Sequence, residues 1–175
     1  MDATGNIYLV GMPGAGKTTV GRQLARRLQR RFVDADHEIE ARTGVKIPVI
    51  FELEGETGFR DRETSVLAEL AHQAGLIVAT GGGAILRTEN RGILKRSGIV
   101  IYLRVPPRIL FERTRHDTNR PLLQVVNPMM RIEELFSRRD PLYQDAADVV
   151  VTSGDGSVCH MVTRIERELR QRCAV

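Results

Sequence analysis

Nine consecutive residues near the start of the chain, Gly11-Met12-Pro13-Gly14-Ala15-Gly16-Lys17-Thr18-Thr19, match G-x4-G-K-[ST] in full. The apolar run Ile7-Tyr8-Leu9-Val10 before them reads as a strand, and helical periodicity follows, which is the context this motif requires. The glycines let successive backbone N–H groups curl around phosphate oxygens, and the positive end of the helix adds to the attraction. The chemistry implied is the binding of a nucleoside triphosphate. Lys17 would reach its β- and γ-phosphates, and the Thr18 hydroxyl is placed to ligate Mg²⁺.

Other residues of the right type follow later apolar runs. Asp34-Ala35-Asp36 comes directly after Phe32-Val33. On an extended segment, carboxylates at i and i+2 project to one side. A phosphate-loop enzyme needs one acid near the metal and another group to orient or deprotonate an attacking hydroxyl. The competing use is helix capping, since Asp36 precedes a helical stretch. Arg60, near a helix start, has Glu63 at i+3 as a ready ion-pair partner, and Arg139 lies just before an expected chain break at Pro141. Together the two arginines could grip an anionic acceptor with forked donors, although each alone reads as a surface ion pair. Thr80-Gly81-Gly82-Gly83 offers bare backbone for close approach of a ligand. His116 to Pro128 is polar and bounded by prolines, long enough for a lid from which Arg120 could swing onto the triphosphate.

The elements that must position these residues are short and alternate in type. Strands are expected at 7–10, 32–34, 76–79, 99–103 and 149–151. Helices are expected at about 17–31, 37–43, 47–54, 58–74, 89–96, 107–115, 129–140 and 157–172. The strands are nearly continuous in apolarity, as strands buried on both faces are, so the pattern predicts a doubly wound α/β domain with about five parallel strands. In such sheets ligands bind beyond the carboxyl ends of the strands, where the residues above fall.

Composition narrows the classes. The chain has 175 residues and a formal charge of +4, with 23 Arg against three Lys. One domain is the default at this length. The groups Arg22, Arg26, Arg27, Arg30, Arg31 and Arg164, Arg167, Arg170, Arg172 read as solvated helix faces. They lack the interleaved aromatics of a single-strand binder, so no nucleic-acid partner is expected. No apolar run is long enough to span a membrane, and the first residues carry no basic n-region, so a cytoplasmic location is expected. Cys159 and Cys173 sit fourteen residues apart on one expected helix, roughly 21 Å at 1.5 Å per residue, out of disulfide reach. His37, His72, His116 and His160 are scattered, so a metal site would use oxygen ligands. A small-molecule kinase is the reading, with gluconate or a nucleoside monophosphate as alternative acceptors. A non-catalytic sensor would need a DNA-binding module for which the chain has no room.

Taken as a series, the motifs resemble the shikimate kinase family. They are the glycine-lysine loop, Asp34-Ala35-Asp36, Ile50-Phe51-Glu52 leading to Gly55-Glu56 and Gly58-Phe59-Arg60, Thr80-Gly81-Gly82-Gly83, Arg120-Pro121-Leu122, and Arg139 with Pro141-Leu142-Tyr143. The likeness runs from residue 6 to about 172; Met12-Pro13 before the glycine is a small departure. It implies a three-layer α/β/α fold with a central five-stranded parallel sheet, the P-loop NTPase fold of nucleoside monophosphate kinase-like proteins. The activity implied is ATP-dependent phosphorylation of the shikimate 3-hydroxyl, a step toward chorismate and the aromatic amino acids, with Mg²⁺. By resemblance, Gly14, Ala15, Gly16, Lys17, Thr18 and Thr19 bind ATP, and Thr18 and Asp34 serve the metal. Asp36, Arg60, Gly82 and Arg139 bind shikimate, with Asp36 engaging its hydroxyl. Arg120 contacts the ATP phosphates from the lid, and Arg113, or Arg115 in its place, packs by the adenine. Lys17, Asp34, Asp36 and Arg120 would form the catalytic set. The resemblance also implies a monomer, with a shikimate-binding region at about 34–62 and a lid at about 114–128.

Overall fold

The computed structural model describes residues 5–116, 125–153 and 156–173. Its centre is a sheet of five parallel strands: β1 (Asn6–Val10), β2 (Arg31–Asp34), β3 (Leu76–Ala79), β4 (Gly98–Arg104) and β5 (Val149–Thr152), in the spatial order β2-β3-β1-β4-β5. Leu9 of β1 stands between Ala79 of β3 and Ile101 of β4, and every residue of β1 and β3 is buried. The two edge strands differ from the near-continuous burial expected of them. β5 alternates buried and exposed residues, leaving Val150 45% exposed. An edge strand has only one neighbour to cover it.

The helices are α1 (Lys17–Leu28), α2 (Ala35–Thr43), α3 (Ile47–Ala71), α4 (Thr88–Ser97), α5 (Pro107–Thr114), α6 (Pro128–Ala146) and α7 (Val158–Cys173). From β1 the chain moves outward through α1 to β2, and from β2 it returns through α3 to β3 and then past β1 to β4. With right-handed crossovers, this reversal puts α1 on one face and α3, α4 and α6 on the other. α7 closes the first layer by packing on α1, where Arg27 bridges to Glu166 at 2.8 Å and to Thr163 at 3.0 Å. That arginine cluster is therefore not a single solvated face. α1 ends at Leu28, Arg31 belongs to β2, and Arg30 donates to the Gly5 carbonyl.

α3 is the two expected helices set end to end, divided at a non-helical Gly55 (φ 71°, ψ −177°) close to where the sequence divides them. α6 runs through Pro141, where a chain break was expected. Proline removes the N–H that would bond the Ser137 carbonyl. Ser137 and Pro141 are both exposed, which leaves that carbonyl on the solvent side of the helix, while Asp140 is tied to β4 by Tyr102 at 2.7 Å and Arg104 at 2.9 Å. Tertiary contacts outweigh the local penalty. All three tyrosines, Tyr8, Tyr102 and Tyr143, lie fully inside the core. Among the described residues no helix is long and apolar enough to cross a membrane.

Asn6 fastens the start of this frame. Buried at the head of β1, it donates to the carbonyls of Leu70 (3.2 Å) and Gln73 (2.9 Å) and accepts from the Leu76 N–H (2.9 Å), so the end of α3 and the start of β3 share one side chain. Replacing it with Ala removes a partner from three backbone groups, two of them in buried bonds. Asn6→Ala should cost about 2–3 kcal/mol and lower the melting midpoint by roughly 5–10 °C in calorimetry. An unchanged midpoint would show that these groups find other partners.

Candidate active site

The carboxyl ends of β1, β2 and β3 open into one cleft of about 780 Å³, lined at one end by the phosphate loop and at the other by Arg60 and Arg139. The loop folds as its sequence predicts. Gly16 takes φ 92° and caps α1, which begins at Lys17. The Lys17 ammonium donates to the carbonyls of Gly11 (2.7 Å) and Met12 (3.0 Å), folded across the loop's own backbone. The Thr18 hydroxyl donates to Asp34 Oδ2 at 2.7 Å.

Asp34 and Asp36 do not lie on an extended segment, as their spacing led us to expect. The strand stops at Asp34, whose Oδ1 accepts from the N–H groups of Asp36 (3.1 Å) and His37 (3.3 Å), making Asp34 the N-cap of α2. Asp36 is thus a first-turn helical residue, and the capping carboxylate is Asp34 rather than Asp36. Capping and site placement coincide here, because the second oxygen of Asp34 reaches Thr18. A hydroxyl and a carboxylate side by side at a phosphate loop are the oxygen donors that Mg²⁺ prefers. Among the described residues no group of three or more His, Cys, Asp or Glu could hold an ion unaided, so phosphate and water would complete its shell.

At the far end the two arginines are buried, which their sequence context did not reveal. Arg60 is 7% exposed and Arg139 3% exposed. Arg60 donates to Glu63 (2.8 Å) and to Glu56 (3.2 Å), and its guanidinium lies over the Phe59 ring. The i+3 pair was legible, but a partner only 1% exposed was not. Burial pushes the Glu63 carboxyl above its usual range and the nearby Asp36 charge adds to this, while Arg60 and Arg139 pull it down.

The triglycine turn fits between these groups. A Cβ on Gly81 would lie 2.6 Å from Glu63 Oε1 and 2.8 Å from Asp36 Oδ1, and one on Gly83 would collide with the Arg60 guanidinium. At these two positions the close approach is by the protein's own side chains, where a ligand was expected. Gly82 lines the cleft with its backbone, and its carbonyl accepts from the Tyr143 hydroxyl.

At the phosphate end, Arg113 on α5 points its guanidinium at the carbonyls of Gly14 (3.3 Å) and Ala15 (3.5 Å). Arg115 instead pairs with Glu112 on the surface. Arg120 and most of the lid segment, 117–124, lie outside the described residues. Sequence reasoning missed Glu63 as part of the site, and Tyr143 beside it. The only signal was their spacing, Glu63 three residues after Arg60 and Tyr143 four after Arg139, each pair on one helix face.

The site therefore joins a triphosphate cradle to a pair of buried cations, with Asp36 between them. Comparison with known proteins points the same way. The family model for shikimate kinase matches residues 13–170. The chain is 59% identical over 164 residues to shikimate kinase from Aromatoleum aromaticum, covering 94% of each, and 56% identical over 168 residues to that of Burkholderia lata, covering 96% of this chain and 91% of the other. Shikimate kinase from Acinetobacter baumannii, solved in complex with shikimate, superposes with a TM-score of 0.95 at 50% identity, over 97% of this chain and 95% of that one. The structure from Aquifex aeolicus gives 0.85 at 34% identity, over 96% and 98%.

The raised Glu63 carboxyl has a consequence for stability. A folded-state value above the unfolded one means that the folded protein binds more protons. Stability is then lost as pH rises from the ordinary carboxylate range, near 4, to the value at which Glu63 ionises. Glu63→Gln removes that slope. Melting midpoints measured from pH 4 to 8 should shift in favour of the variant, relative to wild type, as pH rises. The opposite trend would mean that Arg60 and Arg139 outweigh burial.

Proposed function

The chain belongs to the shikimate kinase family, and from that premise we propose that its cleft transfers the γ-phosphoryl of ATP to the 3-hydroxyl of shikimate. The products are shikimate 3-phosphate and ADP, on the way to the aromatic amino acids. The observation that carries this is the burial of Arg60 and Arg139 in the same cleft as the phosphate loop. Two forked cations held out of water match a small carboxylate acceptor better than a neutral one.

Each residue then has a task. Backbone N–H groups from Gly14 to Thr19 cradle the β- and γ-phosphates, with Arg113 beside the adenine end. Thr18 and Asp34 would hold Mg²⁺, which supplies charge neutralisation on the phosphate oxygens when bound. Arg60, Arg139 and the Gly82 backbone hold the shikimate carboxylate and ring. That leaves the 3-hydroxyl facing Asp36, which orients it and accepts its proton as the oxygen attacks the γ-phosphorus. The bond from the γ-phosphorus to the bridging oxygen breaks, and ADP takes the electron pair. Lys17, swung from its loop carbonyls onto the phosphates, and Arg120 neutralise the charge that spreads over the transferring group. Residues of about 34–62 form the acceptor-binding region and 114–128 the lid that excludes water. The enzyme acts as a cytoplasmic monomer with ATP and shikimate as its partners.

An ADP-release assay across shikimate, gluconate and AMP tests the assignment. Turnover is expected with shikimate alone and is lost when EDTA removes Mg²⁺. Turnover with gluconate or AMP in its place overturns it. Asp36→Asn should lower kcat by about 10²- to 10⁴-fold while ADP still binds as in wild type. Equal loss of both would assign Asp36 to the nucleotide or the fold.

A further inference from the structure

Tyr143 stands behind the acceptor end of the cleft without lining it. Its ring is fully buried and stacks on Tyr102 with centroids 4.8 Å apart. Tyr102 in turn donates to Asp140 at 2.7 Å, and Asp140 is also held by Arg104 and Gln144. This clamp grips α6 next to Arg139, at the point where Pro141 leaves the helix one backbone hydrogen bond short. Residues 139 and 143 are one turn apart and share a helix face. Burial pushes the Tyr143 hydroxyl up to about 12, against a downward pull from Arg139, so it stays protonated at neutral pH.

The single proton of that hydroxyl goes to the Gly82 carbonyl, leaving only acceptor capacity toward the Arg139 guanidinium. Among the described residues no peptide bond is cis, so holding the Gly82 carbonyl toward Tyr143 turns the Gly83 N–H away from it, and both glycines line the cleft. We propose that the Tyr143 hydroxyl is a positioning group for the acceptor site, setting the glycine turn and the Arg139 guanidinium in register with each other. It acts through those two partners and touches no substrate. This rests on the assignment of Arg139 and Gly82 to shikimate binding.

Tyr143→Phe keeps the stacked ring and deletes the hydroxyl, leaving the half-buried Gly82 carbonyl without its donor. The KM for shikimate should rise about tenfold, while the KM for ATP stays within about twofold. In an Arg139→Lys background the same change should add less than about threefold, because coupled groups are not additive. A shikimate KM in Tyr143→Phe equal to that of wild type, alongside a raised KM in Arg139→Lys, overturns the proposal. So does a parallel rise in both substrates' KM values, which marks a structural role alone. If Arg139→Lys itself leaves shikimate binding untouched, the fault lies with the assignment of Arg139.

Discussion

Two guanidinium groups lie almost wholly out of water at one end of the cleft, and most of what surrounds them follows from keeping them there. A buried cation without a partner costs several kcal/mol. Glu63, itself 1% exposed, compensates Arg60 directly and Arg139 through its field. Glu63 and Asp36 then crowd the backbone of the third strand's loop, so Gly81 has no room for a Cβ, and the Arg60 guanidinium excludes one from Gly83. Gly81 and Gly83 are thus the consequence of packing charges against a turn, while a Cβ on Gly82 would meet the Pro13 ring. The run's cost in backbone entropy is offset by the ion pairs it admits.

The phosphate end and the acceptor end are joined by one carboxylate. Asp34 terminates its strand, caps the next helix with one oxygen and takes the Thr18 hydroxyl with the other. Its cap fixes where α2 begins, and with it the position of Asp36. A change at the phosphate loop is therefore felt one residue pair away from the group proposed to meet the acceptor hydroxyl. Local rigidity and site geometry share the same hydrogen bonds.

How much was legible in the sequence depended on how local each feature is. The phosphate loop was readable because glycine spacing, lysine and the strand–helix context are all contained in a dozen residues. The parallel sheet was readable from apolar runs, except at its edges, where β5 is half-exposed in spite of its valines. Asp34 and Asp36 both line the cleft, but as cap and first turn of a helix where an extended segment was expected, because a strand end and a helix cap look alike in so short a stretch. Pro141 misled for a different reason: the rule against proline in helices is a local penalty, and Asp140 anchors that stretch to a strand far away in sequence. For Glu63 and Tyr143 only the spacing to Arg60 and Arg139 was legible, and their burial was not. Each has a neighbour on its own helix, but what encloses it comes from other elements, the Gly82 carbonyl for Tyr143 and the Gly81 backbone for Glu63, which spacing does not encode.

The enclosure of every tyrosine has an optical consequence. The chain has no tryptophan, so its near-ultraviolet absorption comes from tyrosine with only weak phenylalanine bands, and its fluorescence is essentially tyrosine's. With Tyr8, Tyr102 and Tyr143 all inside the core, that spectrum carries almost nothing from the surface. It reports on tertiary packing, and near-ultraviolet dichroism vanishes when such packing is lost. Two of the three chromophores are stacked with ring planes inclined by 27°, so their coupled transitions form a built-in gauge of the packing behind the cleft, readable without any label.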